Sequence, residues 1–248
     1  MTPTTDTPKP VNFLINFRDI IAAPGLALRR VSAVQVHSWW FPVLLAILTP
    51  ILHMALTLDL QVERAKKVAA LQLSNLTPEQ ADAARAAIER MTQPQTLLMT
   101  HAVQVVLGLA FAWALAMLIL YFSIALIGTP VKVNGLWAAV AWTWIPLALR
   151  PLAQLIWNLY SNSLIQYPGL SYFFTSGKIA EDQKNPLFIA ATHLDLFSLW
   201  HLVLIYILLR VVGKLGGGSS FIVTLLYALI QLGVRVLPTM IPKLMGMG

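Results

Sequence analysis

The chain has 248 residues, with 17 lysines and arginines against 10 aspartates and glutamates, a net charge of +7 and no cysteine. Hydrophobic residues make up 58% of it and charged ones 11%, with a mean hydropathy of +0.72, whereas a soluble domain carries about 25% charged residues. That excludes an ordinary soluble domain, and the missing cysteines exclude disulfides and thiolate metal sites.

The first 38 residues lack a continuous apolar core and contain Asp19 and several prolines, so they read as a retained segment rather than a cleaved signal peptide. Between Asn12 and Val34, Phe13, Phe17, Ile20, Ile21, Leu26 and Leu28 recur at helical spacing, with Arg18, Arg29 and Arg30 interspersed. The pattern predicts an interfacial amphipathic helix broken at Pro24, or one packed on the end of a bundle. The positive charge reads as attraction to an anionic lipid bilayer, and nothing in the chain reads nucleic acid.

Five apolar runs follow: Trp39 to Leu58, Leu97 to Ile127, Leu136 to Trp157, Leu187 to Leu209 and Phe221 to Ile241. Each reaches the roughly 20 residues that cross a ~30 Å hydrocarbon core as a helix, and only helices satisfy every backbone group of an isolated span in lipid. The expected fold is therefore an all-α integral membrane protein with five transmembrane helices, divided into an N-terminal segment (1–38) and a membrane domain (39–248). Gly128 with Pro130 marks the end of the second span, and Asn185 with Pro186 the start of the fourth. Gly216 to Ser220 reads as a flexible turn between spans four and five. Within the membrane domain, 58–96 reads as an extramembrane helical hairpin, broken at Ser74 to Thr77. Thr77, Pro78, Glu79 and Gln80 form a capping box that opens its second helix. Its charges are interleaved, as on a solvated, salt-bridged face. Asn75-Leu76-Thr77 fits a glycosylation sequon.

Charge does not settle orientation. With the N-terminus inside, the inner segments hold Lys9, Arg18, Arg29, Arg30, Lys132, Arg210 and Lys214. The outer ones hold Arg64, Lys66, Lys67, Arg85, Arg90, Lys178, Lys184 and Lys243. Seven against eight is no bias by the positive-inside rule. Arg29 and Arg30 before the first span favour a cytoplasmic N-terminus.

Ionisable residues inside spans are the candidates for function, because each costs about 2.5–3.5 kcal/mol to insert. They are Arg150, Asp195 and Arg235. Counted along straight helices at about 1.5 Å per residue, these three and His53, His101 and His193 fall in the same outer third. Two readings compete. In one, the group lines a polar cavity for an ion, a proton or a lipid headgroup. In the other, which weighs more, Asp195 neutralises Arg150 or Arg235, the second arginine snorkels to the interface and the histidines bond carbonyls. No histidine pair has i, i+4 ligand spacing. Trp137, Trp142, Trp144 and Trp157 read as belt and packing residues, and Gly108, Ala112 and Ala116 as a small-residue ridge for close helix contact. Glycine-lysine phosphate loops, zinc helices and nucleophile elbows are absent from the sequence, so no enzyme activity and no cofactor are expected.

Ala23-Pro24, Trp40 and Pro42, Thr77-Pro78-Glu79-Gln80, Pro146 and above all Asp195-Leu196-Phe197-Ser198-Leu199-Trp200 resemble the bacterial branch of the Yip family, the Ypt/Rab-interacting membrane proteins. Asp195, Phe197 and Trp200 carry the most specific part. The resemblance spans nearly the whole chain and implies five membrane helices with a cytoplasmic N-terminus, in the bacterial inner membrane. Eukaryotic members are associated with Rab GTPases and trafficking. The N-terminal segment here is too short to match their cytosolic arm, so that role does not carry over. The expected function is a non-enzymatic scaffold or membrane organiser, with membrane-protein partners or self-association. The alternative is a small transporter or a lipid- or ion-handling protein.

Overall fold

The structure is a computed structural model that describes residues 12–33, 39–74 and 76–244, all of whose regular elements are helical. Asn75 of the sequon, Lys9 of the charge count and the side chain of Lys243 lie outside the described residues. Two compact units are distinguished: Met1–Leu45, Ala112–Ile145 and Trp200–Ala228 form the first, Ala46–Phe111, Pro146–Leu199 and Leu229–Gly248 the second.

In the first unit, α1 (Phe13–Ala22) starts where the Asn12 side chain accepts the N–H groups of Leu14 and Ile15 at 3.0 and 3.1 Å. It stops at Ala23, because a residue before proline is driven out of the helical region. Pro24 then opens α2 (Pro24–Ala33). This is the helix pair broken at Pro24 that the sequence predicts, and Ile20, Ala27, Leu28 and Val31 are fully buried in it. Asn16, Asp19 and Ile20 are buried, while Leu14 is 76% and Leu26 57% exposed. Asp19 is held from both sides, by Arg18 Nη2 at 2.7 Å and Arg30 Nη2 at 2.8 Å. Buried Asp19 is thus tied inward, while exposed Leu14, Ile15, Ile21 and Leu26 leave an apolar surface that suits contact with lipid. Its other anchor is α7 (Val133–Thr143), where a Cβ on Gly135 would stand 2.3 Å from the Ser32 carbonyl oxygen. Only a residue without a side chain admits that approach.

An aromatic cluster fills the same unit. Phe41 stacks on fully buried Trp142 at 5.7 Å, and Trp113 meets Trp137 and Trp144 edge-on at 6.0 and 5.9 Å. Trp157, by contrast, is 56% exposed, as a belt residue is. Buried His201 donates from Nδ1 to the Thr143 carbonyl at 2.7 Å, leaving Nε2 to accept from the Tyr227 hydroxyl at 2.9 Å. Every polar atom of that ring is thereby satisfied.

The apolar runs are helices, with two departures from the expected straight spans. Among the described residues, three segments are long and apolar enough to cross a membrane: Pro94–Ile127, Val133–Ser161 and Gly217–Met240. The count rises to five if each of two bent pairs is one span. The first pair joins α3 (Trp40–Leu56) to α4 (Leu58–Leu73) across a 74° bend. After it come α5 (Pro78–Met91) and the 34-residue α6 (Pro94–Ile127), which ends before Gly128 as predicted. The capping box forms as written, with the Thr77 side chain taking the Gln80 N–H and the Gln80 side chain taking the Thr77 N–H. In α4 and α5 the interleaved charges pair as Glu63–Lys67 at 2.6 Å and Asp82–Arg85 at 3.3 Å. Both pairs are exposed, where solvent screening leaves such contacts little net effect on stability.

The third run is two helices, α7 and α8 (Ile145–Ser161), parted at Trp144. Pro146 has no N–H with which to continue the ladder. The fourth run is the second bent pair. α10 (Pro186–Thr192), capped by Asn185 as predicted, follows the short α9 (Ile179–Asp182) and gives way across a 72° bend to α11 (Leu196–Val211). A straight-helix depth count therefore does not hold for Asp195, which sits in the break. α12 (Gly217–Leu244) begins at Gly217, so Gly217 to Ser220 are its first turn and not the expected loop.

Candidate functional site

The polar cluster of the second unit forms where α10 ends and α11 begins. Asp195 is the N-cap of α11, its Oδ1 accepting the Ser198 N–H at 2.8 Å. The same Oδ1 accepts from Arg150 Nη2 at 2.9 Å, and Oδ2 lies 2.8 Å from Arg150 Nε, within ion-pair distance but with its N–H poorly aligned. Both side chains are 17% exposed. Of the two arginines left open by sequence, Arg150 of α8 is therefore the partner. Its Nη2 also donates to Ser198 Oγ at 2.5 Å, and that hydroxyl in turn donates a hydrogen bond to the His193 carbonyl oxygen, again at 2.5 Å.

Arg235 does not snorkel away, as one of the expectations had it. Its Nη1 lies 2.8 Å from His193 Nδ1, and because a guanidinium has only donors the imidazole must accept there, which puts its ring proton on Nε2. His193 and Asp195 are separated by one residue and would face apart on a continuous helix. The break at residues 193–195 lets both serve one network, His193 through Arg235 and its carbonyl, Asp195 through Arg150 and Ser198.

His53 and His101 form a second polar group. His53 Nε2 lies 2.9 Å from Asn158 Nδ2, and His101 Nε2 lies 3.3 Å from the Pro50 carbonyl oxygen in α3, a carbonyl contact of the kind anticipated. Asn158 is buried, and its Oδ1 also takes the Ile165 N–H at 3.2 Å, so it fastens α8 to the segment that follows it. Among the described residues no group of three or more His, Cys, Asp or Glu is placed to hold a metal ion. Phe197 and Trp200 are half-buried on the first turns of α11.

Ser198 and Asn158 were missed by the sequence reading. Ser198 had a signal, since the third residue after an N-cap supplies the capped N–H. Asn158 had none, because a lone amide on an apolar helix looks like any half-exposed polar residue.

A loop covers the break. Gly169 has φ +63°, and a Cβ there would meet the carbonyl oxygens of Ala191 at 2.6 Å and Leu194 at 2.8 Å, while the Leu170 N–H bonds the Ala191 oxygen at 3.0 Å. The loop thus satisfies a carbonyl at the end of α10. Farther along it, burial raises the Asp182 carboxyl, but the Ser176 N–H and the Thr175 hydroxyl outweigh that and hold it below the usual carboxylate value.

Comparison with protein-family models, curated proteins and solved structures finds no match for this chain. The chain is a membrane protein by its apolar helices, and its site is a charge network that locks a broken helix.

Proposed function

We propose that the chain is a five-span protein of the Yip type in the bacterial inner membrane, with its N-terminus cytoplasmic, acting as a non-enzymatic scaffold or membrane organiser. The observation that supports this is that the Asp195 carboxylate is neutralised within the chain. Asp195 is engaged by Arg150 and by the Ser198 N–H, and Arg235 rests on His193. Charges answered inside the protein serve the fold and leave recognition to outer surfaces. Two such surfaces stand out. The α4–α5 hairpin is charged and exposed, and α6 buries only Trp113, Ala116, Leu120 and Ile124 of its 34 residues. Membrane-protein partners or a second copy would meet the chain there.

One observation favours a small transporter or a lipid- or ion-handling protein instead. The cluster sits at the break of a span, and interrupted helices that point their ends at a polar site are a transporter device. Purification in mild detergent separates the two readings: a stoichiometric protein partner supports the scaffold, whereas a specific small ligand that is lost on Asp195→Asn, with no such partner, overturns it.

A further inference from the structure

In the second unit a groove of ≈ 280 Å³ lies between α4 and the segment that joins α8 to α10. It sits where three apolar segments end. α3 gives way to α4 at Thr57, α8 stops at Ser161 and α10 starts at Pro186, and the groove is lined by Leu60, Asn162 and Phe188, each within a few residues of those ends. Phospholipid headgroups occupy the same level of a bilayer. The volume falls just under the ~300–1,000 Å³ of sites that enclose a drug-sized ligand, so it suits a headgroup whose tails stay outside.

The charges on its wall are balanced. Glu63 and Lys67 neutralise each other at 2.6 Å. That leaves Arg64, which among the described residues pairs with no carboxylate, and Asp182, 3% exposed and anchored by Ser176 and Thr175. A lone guanidinium suits a phosphate, and a carboxylate with spare lone pairs suits an ammonium that can donate.

We infer that this groove binds a phospholipid with a zwitterionic, primary-ammonium headgroup of the phosphatidylethanolamine class. Arg64 takes the phosphate and Asp182 takes the ammonium, while the acyl chains stay in the bilayer. A purely anionic lipid leaves Asp182 facing negative charge, and a quaternary ammonium offers it no N–H. The inference rests on α4 lying outside the bilayer, a part of the topology proposed above that cysteine labelling tests separately.

The full chain is reconstituted in vesicles holding phosphatidylethanolamine, phosphatidylcholine and phosphatidylglycerol in equal parts, then extracted in mild detergent, and its retained lipids are measured by mass spectrometry. Phosphatidylethanolamine should be enriched over the bulk. Arg64→Gln should cut that enrichment by about tenfold, as loss of a charge-assisted hydrogen bond does. Asp182→Asn should abolish the preference over phosphatidylcholine. Since Asp182 also holds its own loop, an unchanged melting temperature is required before that result counts, and the Arg64 variant decides alone otherwise. Lipids retained in the bulk ratio, enrichment of phosphatidylglycerol, or undiminished enrichment in Arg64→Gln would overturn the site. Equal protection of the protein by water-soluble glycerophosphoethanolamine would overturn its assignment to lipid.

Discussion

Asp195 serves two purposes with one carboxylate. It caps α11 and it neutralises Arg150. Asparagine caps helices as well as aspartate does, so Asp195→Asn removes the charge and keeps the cap. The variant leaves Arg150 unpaired at 17% exposure, and breaking one side of such a pair should cost about 3 kcal/mol, the low end for buried pairs. The melting temperature in detergent should fall. Adding Arg150→Gln should recover part of the loss, because both charges are then gone, whereas adding Arg235→Gln should not. An Asp195→Asn protein that melts like the parent would contradict the structural role and favour the transporter reading. Sequence showed that these charged residues sit in apolar runs. It left the pairing open because Arg150 and Arg235 lie 45 and 40 residues from Asp195, and no local rule ranks contacts at that separation.

At the scale of elements, the α1–α2 pair depends on polar contacts that face inward. Arg30, then Arg18, holds the Asp19 carboxyl below its ordinary value of 3.8. A carboxylate whose pKa is lowered by folding adds stability above its unfolded pKa and loses it as pH falls through the folded one. Asp19→Asn should therefore loosen α1 at neutral pH, read as faster amide hydrogen exchange in 13–22. The gap between variant and parent should close as the pH drops below about 4, the ordinary carboxylate range. A gap that persists in acid would show that the ion pair is not what holds the helix. The seat of α2 on α7 gives an independent check. Gly135→Ala gains up to about 1 kcal/mol of helix propensity, but its Cβ would lie 2.3 Å from the Ser32 oxygen, and relieving such a clash costs about 1–3 kcal/mol. The clash should win. Exchange in 24–33 should speed up, and unchanged protection there would mean the two helices can separate without cost. That this segment is helical and breaks at Pro24 was legible from the spacing of its apolar residues; that Asp19 turns inward was not, because amphipathicity alone does not say which face meets protein and which meets lipid.

For the whole molecule the decisive prediction is topology. The chain has no cysteine, so single cysteines report cleanly. Gly218→Cys, at an exposed glycine with open space around its Cβ, and Ser74→Cys, at the exposed tip of the α4–α5 hairpin, lie on opposite sides of the membrane under the five-span arrangement. A membrane-impermeant thiol reagent on intact cells should label Ser74→Cys and spare Gly218→Cys. The reverse pattern inverts the orientation, and labelling of both or neither removes the five-span arrangement.

Composition and hydrophobic run length alone determined that this chain lives in a membrane and is helical, since an isolated apolar run of about 20 residues satisfies its hydrogen bonds in lipid only as a helix. Local chemistry determined the caps at Asn12, Thr77 and Asn185 and the stop before Gly128, because each depends on residues within one helical turn. Tertiary structure decided the break at 193–195, the choice of Arg150 over Arg235 and the inward turn of Asp19. Hydrophobicity marks a span but not its continuity, and a helix breaks where side chains from elsewhere in the chain satisfy the backbone and the charge it exposes. Here Arg150, Ser198 and the Gly169 loop do so.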